Sequence, residues 1–580
     1  MRVAMIRSRK VADTVIMDNQ RFLLLIALLI LSFWTWMEWN SYFDDSPEPP
    51  AQQAEERLGD DDVPAPEEDP EAPRPDVDDD DGDVPALDAL PERMEGETIE
   101  VRTGNKFIRI NSLGGELARL ELLDYLEDLD RDDPVRLLDE REDSLFVIQP
   151  GLIAAGDSTS IPRQIDFRHD DTWSIDGDGQ RIDNGDDAGR AIRLLWESEE
   201  GLRIYRTYYF LPDTYQVRLT QRLENNTEQD WRGGSYTQIE RTDPAISRSM
   251  FNPSTFSHNG PAYHDGNRYE RMSFSDLAEQ NLQLNVQGGW AAMVEHYFVA
   301  TLIPESPEQA VRYYTRHRGA NRYVIGMADQ RARTVAPGDS LEFTQTLYLG
   351  PKIQSELRPA APDLERVVDY GIMWIIAQPL FIALSWIHKV VGNWGWAIII
   401  LTLLIKVAFY KLSETSGRSM ARMRKLQPRM QTIRERYKDD KQKMNQALME
   451  LYKREKINPA AGCLPILIQI PVFIALYWCL LESAELRHAP WMLWINDLSS
   501  PDRFMILPAV MAAAMFFQQK LNPPPPDPMM AKMLMFMPVM LFGIGLFMPA
   551  GLVLYWAVNT ILTVAQQWKI NRVIESGAEK

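Results

Sequence analysis

Hydrophobic positions along the chain fall into three regimes. Phe22 to Trp39 is an almost unbroken apolar run preceded by Arg2, Arg7, Arg9, Lys10 and Arg21. At ~1.5 Å per residue it is long enough to cross a bilayer core of ~30 Å. The run closes on Trp34, Trp36 and Trp39 and then Asn40-Ser41, without a small-residue cleavage site. It therefore reads as an uncleaved first span over 22–39, with residues 1–21 in the cytoplasm and its aromatic end at the outer interface. From 97 to 350 the pattern becomes short alternating runs, such as Thr98 to Arg102, Leu202 to Phe210 and Gln216 to Leu223, separated by turn residues. Period-2 alternation over some 250 residues predicts antiparallel strands in an all-β sandwich domain. The third regime holds runs of span length at 394–412, 463–481, 504–521, 529–547 and 551–568. Residues 363–389 mix charges with apolar positions around Pro379, which predicts an amphipathic helix lying at the outer interface.

Charge adds a fourth element and an orientation. The net charge of -22 and the mean hydropathy of -0.29 average a very acidic segment with a very apolar one. Residues 44–97 carry 22 Asp or Glu against three Arg, and the stretch 40–96 holds ten prolines. Such a segment buries too little apolar surface to offset its ordering entropy, so 40–96 is expected to be a disordered spacer. Between Lys411 and Pro459 the balance reverses, with 14 Lys or Arg against six Asp or Glu. Basic loops stay cytoplasmic, and six spans starting from inside return the tail 569–580 to that side. Within 413–458, Met420, Met423, Met430, Ile433 and Tyr437, then Met444, Leu448 and Leu451, fall at helical spacing. This predicts a basic helical hairpin that turns at Lys438-Asp439-Asp440 and breaks near Pro428. The fold class is thus a six-span α-helical membrane protein, with five spans in one C-terminal core, carrying an all-β sandwich on its outer side.

One side chain stands out against this frame. Lys406 lies within the run Ile398 to Tyr410, where a charge costs about 2.5 to 3.5 kcal/mol at a helix centre and marks a candidate site. It also lies close enough to the cytoplasmic end for its stem to snorkel outward, so both readings stand on spacing alone. Thr402, Lys406 and Tyr410 recur at i, i+4 and i+8 along one helix face. On the last span Trp556, Asn559, Thr560, Thr563, Gln566 and Gln567 make a polar stripe, and Gln469 is the one amide within the third. Either these residues line a polar groove or they bond helix to helix. Eleven methionines between Met492 and Met548 suit equally a surface adaptable to many apolar segments and ordinary lipid-facing packing.

Several segments carry a specific likeness: Val391-Gly392-Asn393-Trp394-Gly395, Leu426-Gln427-Pro428 with Arg434-Glu435-Arg436, Asn458-Pro459 with Gly462-Cys463, Gln469-Ile470-Pro471-Val472-Phe473, Glu485-Leu486-Arg487 with Ala489-Pro490, and Met548 to Tyr555. Together with the order of first span, β domain and membrane core, the chain resembles the YidC family of membrane protein insertases from Met17 onward. The resemblance implies a bacterial inner-membrane insertase and chaperone that acts alone or beside the Sec translocon. The sandwich would then be periplasmic and of the twisted kind shared with sugar mutarotases. Its partners would be nascent membrane proteins, the bilayer and, through the hairpin and the C-terminal tail, the ribosome, with no other nucleic acid. It further implies a hydrophilic groove open to cytoplasm and lipid, lined by Lys406, Gln469 and Trp556, to which helix-face spacing adds Thr402, Tyr410, Asn559 and Thr563. The family carries Arg at the position of Lys406. Lysine keeps the charge but lacks the bidentate fork, so simple attraction survives where a two-pronged grip does not. Lys411 stands where close relatives have Pro, near the groove mouth.

Two rival classes make different demands on the same residues. A secondary transporter would show internal repeats with paired broken helices, and a membrane-anchored periplasmic sugar enzyme would need an acid/base pair. His169, His258, His264 and His296 form no such spacing. Without a P-loop or other nucleotide motif, no catalytic residue and no cofactor are expected. Cys463 and Cys479 sit in an apolar run and are expected to be reduced, with neither disulfide nor metal.

Overall fold

The computed structural model describes residues 96–155, 161, 165–169, 190–210, 214–245, 257–319, 321–438, 440–455, 464–521 and 528–575. The expected first span, the acidic spacer up to residue 95, Cys463 and the tail from 576 lie outside them.

The alternating runs form strands because one face of each can be buried. In Leu202–Phe210 the side chains of Leu202, Ile204, Tyr208 and Phe210 are buried, while Arg203, Tyr205 and Tyr209 are half-exposed. That strand pairs antiparallel with Gln216–Asn225, Leu202 opposite Asn225. The ladder continues through Ser340–Pro351, Phe298–Pro304, Trp290–Val294, Gly260–His264 and Tyr269–Arg271 on one side, and Arg190–Glu197 and Arg168–His169 on the other. The second sheet runs Thr98–Arg102, Lys106–Asn111, Glu116–Leu126, Phe146–Ala154, Trp231–Thr242, Arg322–Asp329, Ala310–His317 and Gln283–Gln287, with Pro134–Leu138 and Arg333–Val335 as side branches. The faces of the two sheets share one core whose largest members, Trp231, Trp290, Tyr313 and Tyr348, are fully buried. Burial of each such side chain contributes on the order of 1.5–3 kcal/mol. The expected all-β sandwich is the observed one; among the described residues it carries a short α-helix, α1 (Phe274–Glu279), capped by Ser273 and Asp276, and a 3-10 turn at Glu142–Ser144.

After the last long strand come α2 (Gln354–Ala360), two 3-10 turns (Leu364–Val367 and Gly371–Met373), and then α3 (Trp374–Val391), α4 (Trp394–Ala408), α5 (Tyr410–Lys425), α6 (Gln427–Arg436) and α7 (Lys441–Arg454). The membrane core is completed by α8 (Leu464–Glu482), α9 (Ile506–Leu521), α10 (Pro528–Gly545) and α11 (Ala550–Glu575). The helix expected over 363–389 differs in extent: Asp363, Glu365, Arg366 and Asp369, which made it look amphipathic, fall before the first residue of α3, and the helix continues through Pro379. Ala377, Phe381, Leu384 and Ile387 bury one face, while Ile375, Ile382, Trp386 and Val390 are exposed on the other. Among the described residues α3 is long and apolar enough to cross a membrane. The run 394–412 is not one straight helix, because it bends by 63° between α4 and α5. Beyond the bend, polar α5 leaves the axis of α4 and lies against α11, where Gly417 lets Ile570 and Gln567 approach. The basic hairpin is α6 and α7, with Pro428 in the first turn of α6 and Asp440 capping α7 through the Lys443 N–H. Leu426, Met430, Leu448 and Tyr452 form its small core.

The sandwich and the helical core meet in a polar joint. Lys352, one residue past the last strand, Ser257 and His296 face the end of α8, and Arg487 donates to the Glu127 carbonyl at 3.2 Å. Glu485, just past α8, is partly buried here, and loss of water, reinforced by Glu356, pushes its carboxyl up to about 7 against backbone donors that include the Gln354 N–H. A carboxyl raised from its usual 4.5 holds its proton more tightly when folded. Its stabilising contribution is complete below pH ~4.5 and drains away as pH rises to about 7, by up to ~1.4 kcal/mol per pH unit. Glu485→Gln is therefore expected to flatten this slope. Thermal midpoints of parent and variant at pH 5 and pH 8 check it, and equal slopes would contradict it.

Candidate functional site

A cavity of about 380 Å³ lies among α4, α5, α8, α9, α10 and α11. Lys406, in the last turn of α4, enters it half-buried, and its ammonium donates to the Thr563 hydroxyl at 2.8 Å. Thr563 in turn donates to the Asn559 carbonyl one turn earlier in α11, at 2.7 Å. The Gln469 amide crosses from α8 to the Asn559 side-chain oxygen at 2.6 Å. Three helices are thus joined by one polar lace, and among the described residues no carboxylate pairs with Lys406. Ile470 and Phe473 of α8, Met515 of α9 and Met537 of α10 add an apolar share of the wall.

The cavity ends toward the sandwich at an aromatic layer. The Phe473 ring lies 5.0 Å from that of Trp556 and 5.9 Å from that of Tyr555. Beyond it Ile398, Leu401, Leu552, Val553 and Leu554 are close-packed and buried. Loop residues Leu498 and Ser500 accept from the first backbone N–H groups of α11 there. An anionic group entering from the far side would meet a cation in a partly desolvated wall, where attraction exceeds that in bulk water.

Of the sequence-predicted residues, Lys406, Gln469, Trp556, Asn559 and Thr563 come together on this cavity. Thr402 does not: it is buried and its hydroxyl returns to the Ile398 carbonyl at 2.7 Å. One turn deeper than Lys406, it meets the packed layer rather than the opening. Tyr410 lies just past the bend, exposed, and its carbonyl accepts from the Gln566 amide at 3.4 Å. Ser413, Ser416 and Gly417 of α5 and Gln518 of α9 also line the cavity. Nothing in the sequence pattern marks these four positions out. Their signal is weak: small and polar groups in stretches that read as loop or span end. The methionines divide, with Met511 and Met515 buried, Met537 on the cavity, and Met535 and Met540 exposed. In the sandwich His258 and His296 are held neutral by burial, at about 4 and about 3, and their rings bond the Pro261 and Leu481 carbonyls. His264 stacks on Trp290 beside Asp363.

Residues 386–577 match the family model described as 60Kd inner membrane protein, and residues 98–383 match that of the YidC periplasmic domain. A membrane protein insertase YidC from Nitrosococcus oceani is 44% identical over 563 residues, covering 96% of this chain and 99% of its own. One from Alkalilimnicola ehrlichii is 46% identical over 562 residues, covering 97% and 96%. The chain belongs to the YidC family of membrane protein insertases. The sandwich is accordingly the periplasmic domain of a YidC-type inner-membrane insertase, and the transporter and sugar-enzyme readings give way to that of the YidC relatives. Among solved structures, an active YidC insertase with its first transmembrane domain resolved is 18% identical, with a TM-score of 0.37, over 84% of this chain and 94% of that one. A galactose mutarotase-like protein from Lactobacillus casei is 11% identical, with a TM-score of 0.30, over 44% of this chain and 100% of that one.

Proposed function

We propose that this insertase draws the acidic or polar tail of a substrate into the cavity through the Lys406 ammonium and releases the adjoining apolar segment along the wall of Ile470, Phe473, Met515 and Met537. The single observation that carries the reading is a cation on the cavity wall bonded to a hydroxyl and to no carboxylate among the described residues. Burying an unpaired charge is costly, and an incoming carboxylate supplies the missing partner. The aromatic layer at Phe473 and Trp556 stops the path on the periplasmic side. Six spans with both termini in the cytoplasm put the cavity mouth and the α6–α7 hairpin on the cytoplasmic side, where the hairpin's basic surface suits anionic lipid and the ribosome. Work alone or beside the Sec translocon, and a chaperone role, are part of this reading, as the family resemblance implies.

Photocrosslinkers at 469, 556, 559 and 563 are expected to label a translating substrate stalled during insertion. Crosslinkers at 402, inside the packed layer, and at the outward-facing 404 are expected to give several-fold less product. Uniform labelling from all six positions would refute the cavity as the path.

A further inference from the structure

Glu482 is a misfit that the insertion path does not use. It ends α8, where the helix macrodipole disfavours a negative charge, and it is 1% exposed. Among the described residues, its ion-pair and hydrogen-bond partners come from the periplasmic sandwich. Lys352, equally buried, places its ammonium 3.3 Å from one carboxylate oxygen, and the Ser257 hydroxyl donates to the other. The His296 ring bonds the carbonyl of the preceding residue, Leu481, at 3.0 Å. Three segments distant in sequence thus converge on two consecutive residues of one membrane helix.

A buried ion pair returns little net stability once desolvation is counted, and it is better suited to fixing one arrangement over others. The arrangement fixed here is that of α8. Its other end is tied by Gln469 to Asn559 of α11, roughly 20 Å away at ~1.5 Å per residue. Between the two ties stands Pro471, which cannot donate to the carbonyl four residues back and leaves the helix a place to bend.

We infer that Lys352 is a positioning residue for insertion: through Glu482 it clamps the outer part of α8 to the periplasmic domain, so that Gln469, Ile470 and Phe473 keep their place in the cavity wall. The clamp rests on the proposed path only for what α8 presents to substrate; the position of the helix can be read independently.

The test uses full-length protein in liposomes, with insertion yield as one readout. The other is the labelling rate of Ile470→Cys by a water-soluble maleimide, in a Cys463→Ser, Cys479→Ala background. Lys352→Met is expected to lower insertion at least fivefold and to change the labelling rate at least threefold, at equal amounts of folded protein. Adding Glu482→Gln, which removes the stranded charge without restoring the tie to Lys352, is expected to leave both readouts changed as in Lys352→Met. Should Lys352→Met not fold, Ser257→Ala takes its place, with a labelling change of at least twofold in the same direction. Normal insertion by folded Lys352→Met, lost insertion with unchanged labelling, or recovery of both readouts in the double variant would each overturn the inference. Lys406→Met, run alongside, reports on the path separately: normal insertion by that variant would remove the path and leave Lys352 to be judged by labelling alone.

Discussion

Replacing Lys406 by methionine is expected to cut insertion of a substrate with an Asp- or Glu-bearing tail by at least tenfold, with less than threefold loss for a neutral tail. The asymmetry follows from what is removed. Methionine keeps most of the apolar stem of the side chain, so the volume filled changes little, while the cation bonded to Thr563 disappears. At an effective dielectric of ~20, a pair of unit charges ~4 Å apart is worth about 4 kcal/mol. About 1.4 kcal/mol already makes a factor of ten, so even a heavily screened contact would show. Lys406→Arg is expected to insert both tails as the parent does, because attraction needs the charge and not the guanidinium fork. The measurement is insertion yield for paired acidic and neutral tails in liposomes holding each variant. Equal yields for the methionine variant and the parent on both tails would reduce Lys406 to a snorkelling residue.

The second large effect lies in the periplasmic domain. Gly289→Ala is expected to lower the thermal midpoint of the purified protein by roughly 10 °C, taking a loss of about 3 kcal/mol and 2–4 °C per kcal/mol for a domain of this size. Gly289 has φ +75°, and a Cβ there would stand 1.9 Å from the His264 carbonyl oxygen. Backbone cannot swing aside as a flexible side chain can, so the strand Gly260–His264 must shift. Gly319→Ala serves as the comparison: its φ is +73°, with nothing within 4 Å of the added carbon. It pays only the left-handed conformation, about 1–2 kcal/mol. Equal midpoints for the two variants would show that strain, not collision, dominates at both sites.

The strands were legible because burial obeys their period of two, as Leu202 to Phe210 and Thr98 to Arg102 illustrate. Their order in the sheets was not. Trp231–Thr242, at the centre of one sheet, carries Gly233 and Gly234 and the buried charges Glu240 and Arg241. These pair with Arg318 and Glu295, more than 50 positions along the chain. No local pattern announces such partners. In the membrane core the apolar runs marked where helices lie, but Phe409 and Tyr410 gave no sign of the bend, since neither Pro nor Gly marks it. Lys406, Gln469, Trp556, Asn559 and Thr563 were readable because polar groups within apolar runs are few. Thr402 shared their helix face, but face is only one coordinate: depth along the axis set it among packed neighbours. Lys352 and Glu482 were invisible as a pair because 130 positions separate them. The one available hint was a carboxylate closing an apolar run.

The bend after Lys406 also bears on the lipid. A helix of 15 residues, as α4 is, rises roughly 22 Å, against a hydrocarbon core of ~30 Å. As a span it is too short for an undeformed bilayer, whereas α11, with 26 residues, is long enough at roughly 39 Å. Hydrophobic mismatch of this kind is relieved by thinning the adjacent leaflets at a cost of fractions of a kcal/mol per Å. The dimple would form on the α4 side, beside the cavity mouth. Acyl-chain length thereby becomes a variable of this protein's working environment, with shorter chains easing the fit around α4.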